Sequence, residues 1–143
     1  MKVKDIITPN PQCVSPDATL CEAARKMRSL DVGMLPVCEN DRLVGTVTDR
    51  DIAVRGVAEG LDVKGAKVRE VMTQGIVYCF DDQSVEQAAQ IMEEKRIRRL
   101  PVINHDKRLI GIVSLGDLAV RTRQEKLAGE VLERVSEPAY AAH

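Results

Sequence analysis

A chain of 143 residues is about one ordinary domain long. With 21 Lys and Arg against 22 Asp and Glu, its formal charge of −1 disfavours nucleic acid or an anionic membrane surface as a partner. Aromatic residues are almost absent, so Leu, Val, Ile, Ala and Met must fill the interior, and no apolar run reaches the roughly 20 residues that cross a bilayer.

From the N-terminus, Met1-Lys2-Val3-Lys4-Asp5 is followed by no long apolar region, so no secretory signal is expected and a cytoplasmic protein is. A short strand ending at Cys13 comes first. Leu20, Ala23, Ala24 and Met27 follow at i, i+3, i+4 and i+7, one apolar stripe of a helix that faces a sheet. Thr19-x-x-Glu22 is a capping box that opens it. Pro36 begins a short apolar strand that turns at Glu39-Asn40-Asp41, and Leu43–Val47 forms the next. That strand runs straight into a helix beginning near Asp51. Gly56 to Lys67 reads as a connection.

The order then repeats. A shift of 65 lays Val3-Lys4-Asp5-Ile6-Ile7-Thr8 on Val68-Arg69-Glu70-Val71-Met72-Thr73. The same shift lays the first helix on Val85, Ala88, Ala89 and Met92, opened by Ser84-x-x-Gln87. One more residue in the turn Asn104-His105-Asp106-Lys107 brings Gly45-Thr46-Val47-Thr48-Asp49-Arg50-Asp51 over Gly111-Ile112-Val113-Ser114-Leu115-Gly116-Asp117. The expected organisation is repeat 1 over 1–56, a linker over 57–67, repeat 2 over 68–121, and a C-terminal helix and tail over 122–143. In the last, Leu127, Val131 and Val135 recur every four residues and Pro138 stops the helix. Each repeat alone would be too small for a secure core, so two copies imply pseudo-twofold pairing.

Gly-x-hydrophobic-Ser/Thr-x-x-Asp occurs twice, at a strand end entering a helix. A carboxylate there can accept hydrogen bonds from both hydroxyls of a ribose, and the hydroxyl three residues earlier can meet a phosphate beside helix N-terminal amides. Thr48-x-x-Asp51 and Ser114-x-x-Asp117 equally fit capping boxes. Spacing alone favours capping, and both roles can coexist. Asp49-Arg50-Asp51 reads as caps rather than a magnesium site. His105 and His143 have no Ser, Cys or carboxylate partner placed nearby by the sequence, so no catalytic residues and no metal site are expected. Cys13, Cys21, Cys38 and Cys79 lack Cys-x-x-Cys spacing and read as reduced thiols. If the segments of Cys13 and Cys38 are neighbouring strands, those two thiols meet, and a redox switch becomes a third alternative.

Two strand-helix-strand-strand-helix units, each with Leu-Pro-Val before its second strand and Gly-x-hydrophobic-Thr/Ser-x-x-Asp after its third, resemble a tandem pair of cystathionine-β-synthase-type (CBS) domains over about residues 1–120. The resemblance implies a mixed α/β fold, two βαββα repeats packed sheet to sheet about a pseudo-twofold axis. It implies a non-enzymatic sensor whose clefts take AMP, ADP, ATP or S-adenosylmethionine as effector, with no cofactor required. Carried onto this chain, one cleft would use Ser114 and Asp117, with Ile112 on the strand before them and the adenine near Thr8, Gln12 and Val14. A weaker second cleft would use Thr48 and Asp51, with Thr73, Ile76 and Val77 at the base. Family members with phosphate ligands often carry a basic residue before the Leu-Pro strand; here Arg96 stands there in repeat 2 and Asp31 in repeat 1. A carboxylate beside a phosphate is repulsive, which favours the Asp117 cleft for a phosphorylated ligand. A homodimer that signals to an unknown protein partner is implied too; the alternative is an interaction module whose clefts stay empty.

Overall fold

The computed structural model describes residues 1–121 and 125–136, with the side chains of 125 and 126 left aside. Pro138 and His143, and the helix stop read from the former, lie outside the described residues. The elements are β1 (Thr8–Pro9), α1 (Leu20–Leu30), β2 (Met34–Glu39), β3 (Arg42–Thr48), α2 (Asp49–Asp51, continued by a π-helical run Ile52–Val57), β4 (Cys79–Phe80), α3 (Val85–Lys95), β5 (Arg99–Ile103), β6 (Leu109–Ser114), α4 (Leu115–Arg121) and α5 (Glu125–Ser136). The expected strand-helix-strand-strand-helix order thus holds in both repeats.

Compact units, however, do not coincide with the repeats. One unit joins Met1–Pro11 to Val77–His143, and the other is Gln12–Ile76. The leading segment of each repeat has crossed to the other repeat's sheet. In the first unit the strand order is β1-β6-β5-β4, with Thr8 opposite Ile112 and β4 parallel to β5. The second unit repeats this order around the β2–β3 hairpin: Val14 bridges Val37 in parallel and Thr73 bridges Thr46 in antiparallel.

Both long helices start as their side chains dictate. Thr19 accepts from Glu22 N at 3.1 Å while Glu22 accepts from Thr19 N at 3.0 Å, and Ser84 and Gln87 do the same at 3.1 and 2.8 Å. Such a cap contributes about 1 kcal/mol. Both helices end in a left-handed residue, Asp31 and Arg96, at φ 55°. Each unit has its own aliphatic core. Val3, Ile6, Val85, Met92, Leu100, Val113 and Leu118 are buried in the first unit. Val14, Leu20, Met27, Leu35, Val37, Val47, Val68 and Val71 fill the second.

Three expectations need correction. Ala24, read as part of the α1 stripe, is exposed, whereas its counterpart Ala89 is buried. The reason is α5, which packs on α3 and α4 in the first unit and inserts Ala128 and Val131 into its core. The stretch read as a linker sends Leu61, Val63 and Ala66 onto the second core, because those apolar side chains gain by leaving water. Strands β2 and β5 begin two residues before Pro36 and Pro101. Pro36 is tolerated because its carbonyl, not its missing N–H, serves the neighbouring segment, accepting from Val14 N at 3.0 Å.

Candidate functional site

Along β6, Gly111 and Val113 turn into the core, leaving Ile112 and Ser114 half-buried on the opposite face. Thr8 lies across from Ile112. The glycine of the repeated motif is what lets Thr8 approach: a Cβ on Gly111 would sit 2.9 Å from Thr8 O. In the second unit a Cβ on Gly45 would sit 2.8 Å from Thr73 O, with Thr46 and Thr73 exchanging backbone hydrogen bonds of 3.1 and 2.9 Å.

At the end of β6, Ser114 and Asp117 form the anticipated capping box. Ser114 N donates to Asp117 Oδ2 at 2.9 Å and Asp117 N to Ser114 Oγ at 3.1 Å. Thr48 and Asp51 repeat it at 3.0 and 3.0 Å. In each box one carboxylate oxygen caps the helix. The other faces an arginine four residues on: Asp117 Oδ1 lies 3.7 Å from Arg121 Nε, and Asp51 Oδ1 lies 4.0 Å from Arg55 Nη1. A carboxylate offers about four lone-pair sites, so neither arrangement exhausts it. Arg121 also donates to Ile6 O at 3.2 Å and Ile7 O at 3.1 Å, tying the strand that carries Thr8 to the helix that carries Asp117.

The structure therefore brings Thr8, Ile112, Ser114 and Asp117 together in the first unit, and Thr48, Asp51 and Thr73 together in the second. Gln12 (exposed), Val14 (buried) and Ile76 (half-buried) belong to the second unit, and half-buried Val77 packs on the first unit's core. Val14 has its backbone committed, donating to Pro36 O and accepting from Cys38 N. Arg96 is half-buried at the end of α3. The basic residues sharing a cavity with Ser114 are Arg98 and Arg99; this cavity, of about 570 Å³, has Leu115, Ala119 and Leu132 on its apolar walls. Sequence reasoning passed over those two arginines, because the run Lys95-Arg96-Ile97-Arg98-Arg99 carries no mark of which members face the motif.

The sequence places no carboxylate partner near His105; the fold supplies one from 23 positions away. His105 Nε2 lies 2.8 Å from Asp82 Oδ2, and its ring stacks on Phe80 with centroids 4.7 Å apart. The parallel pairing of β4 with β5, Phe80 opposite Ile103, delivers the two loops side by side. Hydrogen bonding to Asp82 raises the His105 pKa above its ordinary 6.5 and lowers that of Asp82. Asp81, Asp82 and His105 hold one donor atom each within 4.8 Å of one another, a trio whose donors suit a divalent ion but whose exposure and ion pair explain it without one.

Cys13 and Cys38 lie one residue to either side of the parallel Val14–Val37 bridge, near enough for the Cys13 thiol to act on Cys38. Burial first, and then Cys13, pushes the Cys38 pKa up to about 12. Both thiols are free.

Two copies of one small α/β unit, each ending a strand in a capped Ser/Thr-x-x-Asp box, define a tandem-repeat module. The chain belongs to the CBS domain family, whose model matches residues 3–56 and 68–121. It is 43% identical over 134 residues to the CBS domain-containing protein YhcV of Bacillus subtilis, covering 94% of each chain. Hypoxic response protein 1 of Mycobacterium tuberculosis is 42% identical over 117 residues, 81% of each. A crystal structure of Hypoxic Response Protein I with two coordinated zinc ions superposes with a TM-score of 0.78 at 41% identity, over 83% of this chain and 97% of that one. Similar too is CBSX2 in complex with AMP, at TM-score 0.75 and 31% identity, over 87% and 98%. The CBS pair of MJ0100 in complex with 5-methylthioadenosine and S-adenosyl-L-methionine reaches 0.75 at 28%, over 88% and 98%. Among the described residues no helix is long and apolar enough to cross a membrane.

Proposed function

We propose that this chain is a non-enzymatic sensor that binds an adenosine-containing ligand, AMP, ADP, ATP or a relative, on the face formed by Thr8, Ile112, Ser114 and Asp117. Asp117 carries the reading. One of its oxygens is committed to the cap, while Oδ1 meets Arg121 only at 3.7 Å and keeps lone pairs for two ribose hydroxyls. The AMP bound by CBSX2 and the two adenosyl compounds bound by MJ0100 support the ligand class. Arg98 and Arg99, in the cavity that Ser114 lines, supply cations for a phosphate; the equivalent positions in repeat 1 are Gly33 and Met34. The Asp51 face, with Thr48 and Thr73, is therefore the weaker site. Binding alters a homodimer surface that a protein partner reads, which requires two states of unequal affinity for the ligand.

The test is calorimetric titration of AMP, ADP, ATP and S-adenosylmethionine into wild type, Asp117→Asn and Asp51→Asn, with each variant's stability measured alongside. Asparagine keeps one carbonyl to accept from Ser114 N but removes the charge. Hydrogen bonds to a charged group contribute about 1.5–3 kcal/mol, so affinity should fall about 10- to 100-fold in Asp117→Asn and change little in Asp51→Asn. A stability loss with unchanged affinity would make the box a cap alone and favour an interaction module with empty sites.

A second reading rests on the Cys13–Cys38 contact: a disulfide there would tie the start of the second unit to β2. Loss of two titratable thiols under mild oxidation, prevented by Cys13→Ser, supports it.

A further inference from the structure

The two repeats share the backbone of the corner where strand runs into helix and differ in what surrounds it. Leu115 N donates to Arg98 O at 2.9 Å, and Asp49 N donates to Gly33 O at 2.9 Å. In the second unit an acidic side chain occupies that corner: a Cβ on Gly33 would lie 3.1 Å from Asp49 Oδ2. In the first unit the same two positions hold Arg98 and Leu115, and α5 packs on α4 beside them. The cavity of about 570 Å³ there is lined by Arg98, Arg99 and Ser114 from the strand ends and by Ala128, Gly129 and Leu132 from α5. That volume is in the range of small-molecule sites, and both charges among the lining residues are positive. The family model ends at residue 121, so α5 is an addition to the shared repeat.

One residue of α5 is not accounted for by packing. Gly129 lies inside a 12-residue helix, where glycine is the least favourable residue after proline. Close approach does not explain it, since a Cβ there would meet nothing within 4 Å. What the missing side chain leaves is room in a cavity that two arginines line. α5 also reaches one of those arginines, with Arg98 Nη2 3.4 Å from Ser136 Oγ. We infer that α5 is the outer wall of the phosphate subsite, and that Gly129 keeps this subsite open to a phosphate chain beyond the first, so that the protein selects ADP or ATP over AMP. The inference rests on the adenosine-ligand reading above and adds the element that sets selectivity. Ser114 Oγ accepts from Asp117 N at 3.1 Å and keeps its own hydrogen to donate to the first phosphate. The guanidiniums of Arg98 and Arg99 can then pair with the phosphates that follow, in the two-pronged geometry that arginine offers an oxyanion. At the other corner Asp49 stands where Leu115 does, and Gly33 and Met34 replace the two arginines, so no such preference is expected there.

Calorimetric titration of adenosine, AMP, ADP and ATP into the full chain at fixed ionic strength tests this. In wild type, affinity should rise at least about 10-fold from AMP to ADP or ATP, the lower end for a hydrogen bond to a charged group. Gly129→Leu should erase that rise by filling the cavity. Gly129→Glu should reverse it by setting a carboxylate beside the phosphates. Far-UV circular dichroism shows whether each variant folds, and hydrogen exchange on wild type needs no variant. There ADP or ATP should slow exchange of the α5 amides more than AMP does, because a ligand that touches a docked helix favours its docking. A wild type that binds AMP as tightly as ATP overturns this inference and leaves the adenosine reading standing. So does a rise that survives both substitutions, or α5 exchange that is the same with AMP and ATP. Silence toward every nucleotide overturns both.

Discussion

Gly111→Ala adds one methyl at the point where the strand carrying Thr8 crosses β6. The new Cβ would lie 2.8 Å from Ile7 Cδ1, 2.9 Å from Thr8 O and 3.0 Å from Ile7 Cβ. The Ile7 tip can rotate away; the carbonyl and the Cβ cannot. They are held by the pairing of Thr8 with Ile112 and by Arg121's bonds to Ile6 O and Ile7 O. Overpacking of this kind costs about 1–3 kcal/mol, offset by about 0.4–1 kcal/mol because alanine restricts the unfolded chain. A net loss of about 1–2 kcal/mol, or a midpoint lowered by roughly 3–8 °C, is expected. Gly129→Ala is the same chemical change in α5 with nothing within 4 Å of the new Cβ. There alanine should gain about 0.5–1 kcal/mol in helix propensity. Urea unfolding followed by circular dichroism measures both. Opposite signs are the expected outcome. If Gly111→Ala is as stable as wild type, the glycine of the motif is not there for close approach and the reasoning fails. Gly45→Ala, 2.8 Å from Thr73 O, replicates it in the other unit.

Other outcomes follow from single groups. Oxidation joining Cys13 to Cys38 should raise stability by about 3.5 kcal/mol, the chain-entropy value for a loop of this length, measured as a urea midpoint shift that dithiothreitol reverses. Cys38 and Cys79, both held at about 12 chiefly by burial, should resist alkylation at pH 8 until the chain unfolds, as mass spectrometry of alkylated peptides would show. For His105 the folded pKa is raised, so its contact with Asp82 favours the folded state fully below 6.5 and is lost as pH rises through the raised value. An NMR titration should place His105 above 6.5 in wild type and back near it in Asp82→Asn. Ser84→Ala, which removes the acceptor for Gln87 N, should cost about 1 kcal/mol in the same urea assay.

Local chemistry was the legible part. The doubled capping boxes at Thr19 and Ser84 needed only four consecutive residues each, and the Ser114–Asp117 and Thr48–Asp51 boxes were visible for the same reason. Their ambiguity between cap and ribose ligand was visible too, and the geometry explains it: one carboxylate oxygen satisfies the cap, and the second is left over. Hydrophobic period placed α1, α3 and α5. It could not tell that Ala24 is exposed while Ala89 is buried, since identical spacings differ only in what lies on top of them. Arg98 and Arg99 were hidden in a basic run, and the partnership of His105 with Asp82 joins loops 23 positions apart.

What this sequence determined by itself is whatever neighbouring residues decide: element order, caps, the repeat and the family that the repeat marks. What only the tertiary structure decided is pairing between distant segments. It carried Thr8 from repeat 1 to β6 of repeat 2, set Cys13 beside Cys38, and laid α5 on one helical face while leaving its twin bare. Those outcomes depend on which apolar surfaces find each other, and burial is non-directional: it rewards any closure of apolar area and leaves no local signature of the partner chosen.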